Sequence, residues 1–259
     1  MAYLGHDFPF GFEDIEVETR LRAVKAAGFD ELMIHWQEEN GISAKERYDQ
    51  ALRAGLRIRT VHFPQETAAD LWREGDAGDA LERHLILALR ETGERGIENL
   101  VMHTTRRLET PPPNKTGARR ILHAAEAAEK AGVNIAVENT RFLQYNQYLF
   151  STVPSSRLTF CYDCGHAHCF TPGYDPLSLF GHRMTTMHLH DNHGQRDEHL
   201  LIGEGTVDLS LTFSRLAALH PVSYNLESRY RGGEWTMEEY LAVAYGRLKY
   251  CVERAEEHA

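Results

Sequence analysis

Short apolar runs alternate along this chain with longer segments whose apolar positions recur at helical spacing. The runs at 3–6, 31–36, 58–63, 99–104, 134–139, 158–163, 185–191 and 223–228 read as buried parallel strands, which carry near-continuous hydrophobic sequence. Helical patterns follow at 15–27, 43–54, 79–95, 115–131, 175–181, 209–219 and 236–255, with a poorer one near 142–150. In 115–131, Ile121, Leu122, Ala125 and Ala128 fall on one side. Gly28, Gly55, Gly96 and Gly132 stand where helices end, as C′ glycines do. Eight such units joined by right-handed crossovers close into a single (β/α)₈ barrel over residues 1–259. The competing open sheet marks its first turn with glycines. That turn here is His6-Asp7-Phe8-Pro9-Phe10-Gly11, and no dinucleotide or phosphate-loop pattern occurs.

Metal-type side chains collect where these runs stop. His62, His103, Glu138, Asp163, His188 and Glu227 end or closely follow six of them, His166 comes three residues after Asp163, and Asp197 and His199 lie in the loop after His188. In a β/α barrel the C-terminal strand ends form one rim, so these nine residues predict a metal centre there. Ten of the fifteen histidines fall at or just after a strand end, among them His6, His35, His168, His190 and His193. Glu138 and Glu227 end apolar strands, where an unpaired carboxylate is costly, and arginines such as Arg141 or Arg229 are the alternative partners. His188, His190 and Asn192 share one face by strand alternation. Asp191 and His193 are expected to orient ligands or close the loop, and Glu204 to be a structural loop residue.

Composition narrows the class. The chain has 259 residues, 42% apolar and 25% charged, with a formal charge of −10 and five lysines. This describes a soluble globular protein with no membrane span and little electrostatic attraction for nucleic acid, unless bound cations invert the local sign. The N-terminus enters a strand directly, so a cytoplasmic location is expected. Cys161, Cys164 and Cys169 crowd Asp163 and His166. With Cys251 they read as buried thiols, and Cys161 and Cys164 are expected to straddle a strand end rather than open a helix.

At these residues the chain resembles the xylose-isomerase-like TIM-barrel superfamily, which holds sugar and sugar-phosphate isomerases and epimerases and the endonuclease IV type of abasic-site nuclease. The nuclease pattern is met by His62, His103, Glu138 in Val137-Glu138-Asn139-Thr140, Asp163 and His166 before Gly173-Tyr174-Asp175, His188, Asp197 and His199 before Gly203-Glu204-Gly205, and Glu227. The epimerase branch implies one metal on Glu138, Asp163, His188 and Glu227, with His166 on the substrate. The chain departs from the nuclease at Arg141-Phe142-Leu143-Gln144-Tyr145, at Phe63-Pro64-Gln65-Glu66 and in the acidic loop Gln37-Glu38-Glu39-Asn40. The resemblance therefore implies a metal-dependent isomerase or epimerase for a small carbohydrate-like substrate. Glu138 and Glu227 would move protons, and His166, His190 and Arg196 would hold the substrate. One to three divalent ions (Zn²⁺, Mn²⁺ or Co²⁺) are expected, and the oligomeric state is open. The alternatives are a multinuclear-zinc phosphodiester hydrolase and a non-catalytic ligand-binding barrel.

Overall fold

The computed structural model describes residues 2–39, 41–106 and 108–257, so Asn40 of the acidic loop lies outside the described residues. Eight parallel strands and nine α-helices are arranged around a barrel among these residues. The strands are β1 (Tyr3–Phe8), β2 (Glu31–His35), β3 (Thr60–His62), β4 (Asn99–Met102), β5 (Asn134–Glu138), β6 (Leu158–Asp163), β7 (Met184–His188) and β8 (Ser223–Leu226). The helices are α1 (Val17–Ala27), α2 (Ala44–Arg53), α3 (Asp76–Gly93), α4 (Lys115–Ala131), α5 (Leu143–Thr152), α6 (Cys164–Phe170), α7 (Pro176–Phe180), α8 (Leu209–Ala217) and α9 (Met237–Glu256).

Neighbouring strands pair in parallel in the order β7-β6-β5-β4-β3-β2-β1-β8. Between β7 and β8 the described residues hold two backbone hydrogen bonds, from Leu189 N to Asn225 O at 2.9 Å and from Glu227 N to Leu189 O at 2.9 Å. These close the barrel. The expected β/α alternation is thus present, with β1 running two residues further and β3 starting two residues later than the apolar runs suggest.

Local chemistry sets the helix starts. Ser43, Asn114 and Asp208 each accept a hydrogen bond from a backbone N–H in the following turn. Thr236 and Glu239 form a reciprocal pair at the start of α9. Helices α1 and α4 stop at Gly28 and Gly132 in the left-handed conformation, which glycine adopts without a Cβ clash.

Two apolar regions result. The larger lies between strands and helices, with Leu32, Ile34, Leu100, Ile135, Val137 and Phe160 facing outward onto helical residues such as Leu85, Leu89, Ile121 and Leu248. Inside the barrel Val101, Ala136 and Cys161 form a separate small cluster. That cluster is the floor on which the polar rim stands.

Candidate functional site

Every strand delivers one polar side chain to the same end of the barrel. Asp7, His35, His62, His103, Glu138, Asp163, His188 and Glu227 lie at, or one residue from, the last residue of β1 to β8 in turn. Each stands two residues beyond an inward position: Gly5, Met33, Thr60, Val101, Ala136, Cys161, Thr186 and Asn225. Uncharged residues below therefore carry ionisable residues above.

Glu138 is the hub. Its Oε2 lies 3.4 Å from His62 Nε2, 3.1 Å from His103 Nε2 and 3.3 Å from His188 Nδ1, and its Oε1 lies 2.8 Å from His166 Nδ1. His188 Nδ1 is also 3.1 Å from Glu227 Oε2. Asp163 Oδ1 caps α6 by accepting from His166 N at 2.6 Å and lies 3.1 Å from His190 Nε2. Asp197 Oδ2 then stands between His166 Nε2 and His199 Nε2, 3.2 Å from each.

Backbone contacts lock these rings in place. The Nδ1 of His62 bonds the Phe63 carbonyl at 2.7 Å, and that of His199 bonds the Glu227 carbonyl at 2.8 Å. Each leaves Nε2 directed at a carboxylate. Asn139 joins β5 to β6, accepting from Asp163 N and donating to Asp163 O, both at 2.8 Å. Asp191 accepts from Gly203 N at 3.0 Å and Val207 N at 3.0 Å, tying down the loop that carries Asp197 and His199.

Burial here opposes ionisation, and mutual charge overcomes it. Burial alone would raise the carboxyl groups of Glu138 and Glu227. The neighbouring imidazoles (His103 and His188 for Glu138, His188 and His199 for Glu227) hold them well below the usual range. Against the same burial, carboxylates raise His166 and His188 well above their ordinary value and His199 to about 9. Asp197 is depressed because its bonds to His166 and His199 outweigh desolvation.

Several buried polar atoms still lack a hydrogen-bond partner among the described residues: Glu138 Oε1, Asp163 Oδ2, both ring nitrogens of His188, His190 Nε2 and Glu227 Oε2. Such atoms are costly unless something else satisfies them. Ligand atoms of Glu138, Asp163, His188 and Glu227 lie within 4.8 Å of one another. Three carboxylates and an imidazole converging in this way fit a divalent cation. Adjacent groups, His62–His103–Glu138, Asp163–His166–His190 and His190–His199–Glu227, meet the same distance limit.

Above them opens a polar cavity of about 130 Å³, lined by His62, His103, His166, Asp7, His35 and Arg229 among others. All nine expected metal-type residues come together here, and His190 joins them. Arg196 does not. It is exposed and outside the cavity wall, while Arg229 stands at the mouth. The arginine alternative for the two glutamates is not met among the described residues. Arg141 lies over the Phe170 ring at 4.0 Å, and neither Arg141 nor Arg229 is within ion-pair distance of Glu138 or Glu227.

Two readings of the sequence are corrected. Cys164 does open a helix, because Asp163 caps it and Gly165 lets it pack against the His190 ring. Its thiol donates to His190 O at 3.2 Å, and burial pushes Cys161 up to about 12, so these are neutral buried thiols. His6 points away from the rim into an aromatic cluster with Phe10, Phe29 and Tyr240.

The model of the xylose isomerase-like TIM barrel family matches residues 21–240. The chain belongs to this family. The uncharacterized protein y4fM of Sinorhizobium fredii is 29% identical over 224 residues, covering 79% of this chain and 68% of its own. An L-ribulose 3-epimerase structure superposes with a TM-score of 0.81 at 16% identity, over 99% of this chain and 96% of that one. D-psicose 3-epimerase from Clostridium cellulolyticum, solved with D-tagatose, gives 0.77 at 15%, over 96% and 99%. The 3-keto-D-glucoside 4-epimerase YcjR of E. coli gives 0.72 at 17%, over 97% and 100%. At these identities the likeness establishes the fold. No helix among the described residues is long and apolar enough to cross a membrane.

Within this family frame, Asp7, His35, Gln65 and Arg229 are cavity residues that the sequence pattern does not single out as site residues. For Asp7 and His35 a signal exists. Alternation places them on the same inward face as Gly5 and Met33 once β1 is extended to Phe8.

Proposed function

We propose that this chain is a divalent-metal-dependent isomerase or epimerase acting on a sugar or sugar phosphate. The observation that carries the reading is the pair of glutamates from strands far apart in the barrel. Glu138 on β5 and Glu227 after β8 approach the same His188 nitrogen at 3.3 and 3.1 Å, and each keeps an oxygen without a hydrogen-bond partner. Two ionised carboxylates meeting at one imidazole, Glu227 on the cavity wall and Glu138 buried behind it, suit removal of a proton from one face of a carbon and its return from the other.

Glu138, Asp163, His188 and Glu227 would hold the cation. When bound, it would supply Lewis acidity toward a substrate carbonyl, making the neighbouring C–H more acidic. Glu138 and Glu227 accept and return that proton, and His103 and His199 keep them ionised between events. His166, on the cavity wall with its Nε2 on Asp197, would exchange that bond for one to a substrate oxygen when substrate is bound. The epimerases that share the fold support this assignment.

A second reading rests on the three further ligand groups that share Glu138, Asp163 or Glu227 with the first. These would suit a multinuclear hydrolase of phosphodiesters. One set of measurements separates the two. Elemental analysis should find about one tightly held transition metal per chain. Incubation with a panel of ketoses and ketose phosphates in D₂O should place deuterium next to the carbonyl of at least one, and Glu227→Gln should abolish the exchange. Three equally tight ions, no exchange across the panel and efficient cleavage of an abasic-site duplex would establish the hydrolase instead.

A further inference from the structure

Asp7 and His35 form a second polar pair in the cavity, outside the metal-type cluster. Asp7 Oδ1 and His35 Nε2 are 3.7 Å apart, too far to bond each other, and both are buried atoms without a hydrogen-bond partner among the described residues. Asp7 is only 4% exposed, and both residues line the cavity. The pair is rigidly placed. Asp7 sits within β1, paired with Met33 of β2. The His35 carbonyl accepts from the buried Arg47 at 3.1 Å, and Arg47 also bonds Gln37 O and Glu39. The His35 ring stacks on His62 with centroids 5.2 Å apart. The pair therefore lies one imidazole beyond the groups that surround Glu138.

An acceptor and a ring nitrogen at this spacing leave room for one small group that both gives and takes a hydrogen bond. A hydroxyl oxygen does so, and an apolar carbon or a carboxylate does not. Building on the polyhydroxy carbonyl substrate proposed above, we propose that Asp7 and His35 are a subsite for one hydroxyl of that substrate, on the carbon chain beyond the reacting carbons. The hydroxyl donates to Asp7 Oδ1 and bonds His35 Nε2. The pair is thus a specificity and positioning device for the stereochemistry of that carbon.

Binding can be tested without turnover. Metal-loaded protein is titrated calorimetrically with linear five- and six-carbon polyols and with the monodeoxy form of each. In the parent protein, loss of one particular hydroxyl should weaken binding about ten- to a hundredfold, the size of one hydrogen bond to a charged group. In Asp7→Ala and in His35→Ala the full polyol should be weakened by a similar factor, and removing that hydroxyl should then cost nothing more. Asp7→Asn, which keeps an acceptor oxygen and the side-chain shape, should recover most of the affinity. The melting curve of each variant shows that it is folded, and His35→Gln replaces any variant that is not. A deoxy penalty that persists undiminished in the variants, or a parent that binds no polyol, would overturn the subsite. Coupled loss of polyol binding in a protein that exchanges no sugar proton would leave the subsite standing and remove the isomerase assignment.

Discussion

Glu31 stands at the opposite end of β2 from His35, and burial pushes its carboxyl up to about 7 despite Arg59 at 3.7 Å. Between an unfolded value of 4.5 and about 7, the folded chain keeps a proton that the unfolded chain releases. This group's contribution to stability therefore falls as pH rises through that window, by at most about 3 kcal/mol. Glu31→Gln should raise the urea midpoint at pH 8 and change it little at pH 4, and a pH series of denaturation curves checks it. Sequence pattern reaches this scale unevenly. Glu138 and Glu227 are legible because a carboxylate closing an apolar run contradicts its surroundings. Asn139 is not, since a lone Asn after a strand carries no sign that both its amide atoms will bond Asp163 across to β6. Arg196 and Arg229 show the same limit, because a loop's charges can be read from sequence and their directions cannot.

Helix α6 shows why some elements escape a periodicity reading. Its seven residues make under two turns, too few for an amphipathic repeat, it carries a glycine at its second position, and its one positive signal is the Asp163 cap. The element nonetheless places His166 beside Glu138, and it seats against His190 through Gly165, where an added Cβ would fall inside the imidazole. Gly165→Ala should therefore displace His190 or tilt α6 while the outer core stays intact. The expected result is a folded protein with metal affinity lowered about tenfold or more, read by competition with a chromogenic chelator. Metal affinity equal to the parent's would mean that the helix absorbs the methyl group without moving its ligands. The eight strands were legible for the opposite reason. Each is buried on both faces and bounded by turn residues, and helices long enough to show their period separate most of them.

Across the whole molecule, the rim concentrates three buried carboxylates and several imidazoles in a chain of net charge −10. An ion that binds only the folded state stabilises it by mass action. Chelation should lower the melting temperature, and added Zn²⁺ or Mn²⁺ should restore it in proportion to the logarithm of free metal, as scanning calorimetry would show. A melting temperature indifferent to chelator and metal would count against a resident cation. The barrel itself is not closed equally all the way round. Among the described residues seven strand pairs form ladders, while the backbone hydrogen bonds between β7 and β8 are the two made by Leu189. His188 and Glu227 flank that seam from opposite sides, 3.1 Å apart. A ligand gripping both would act as a rivet through the weakest joint of the hoop. In native-state hydrogen–deuterium exchange, the Leu189 and Glu227 amides should be among the first barrel amides to open in the stripped protein and be slowed most by metal. The seam would then couple the site to the mechanical closure of the fold, so that occupancy is reported by the easiest breathing motion of the barrel wall.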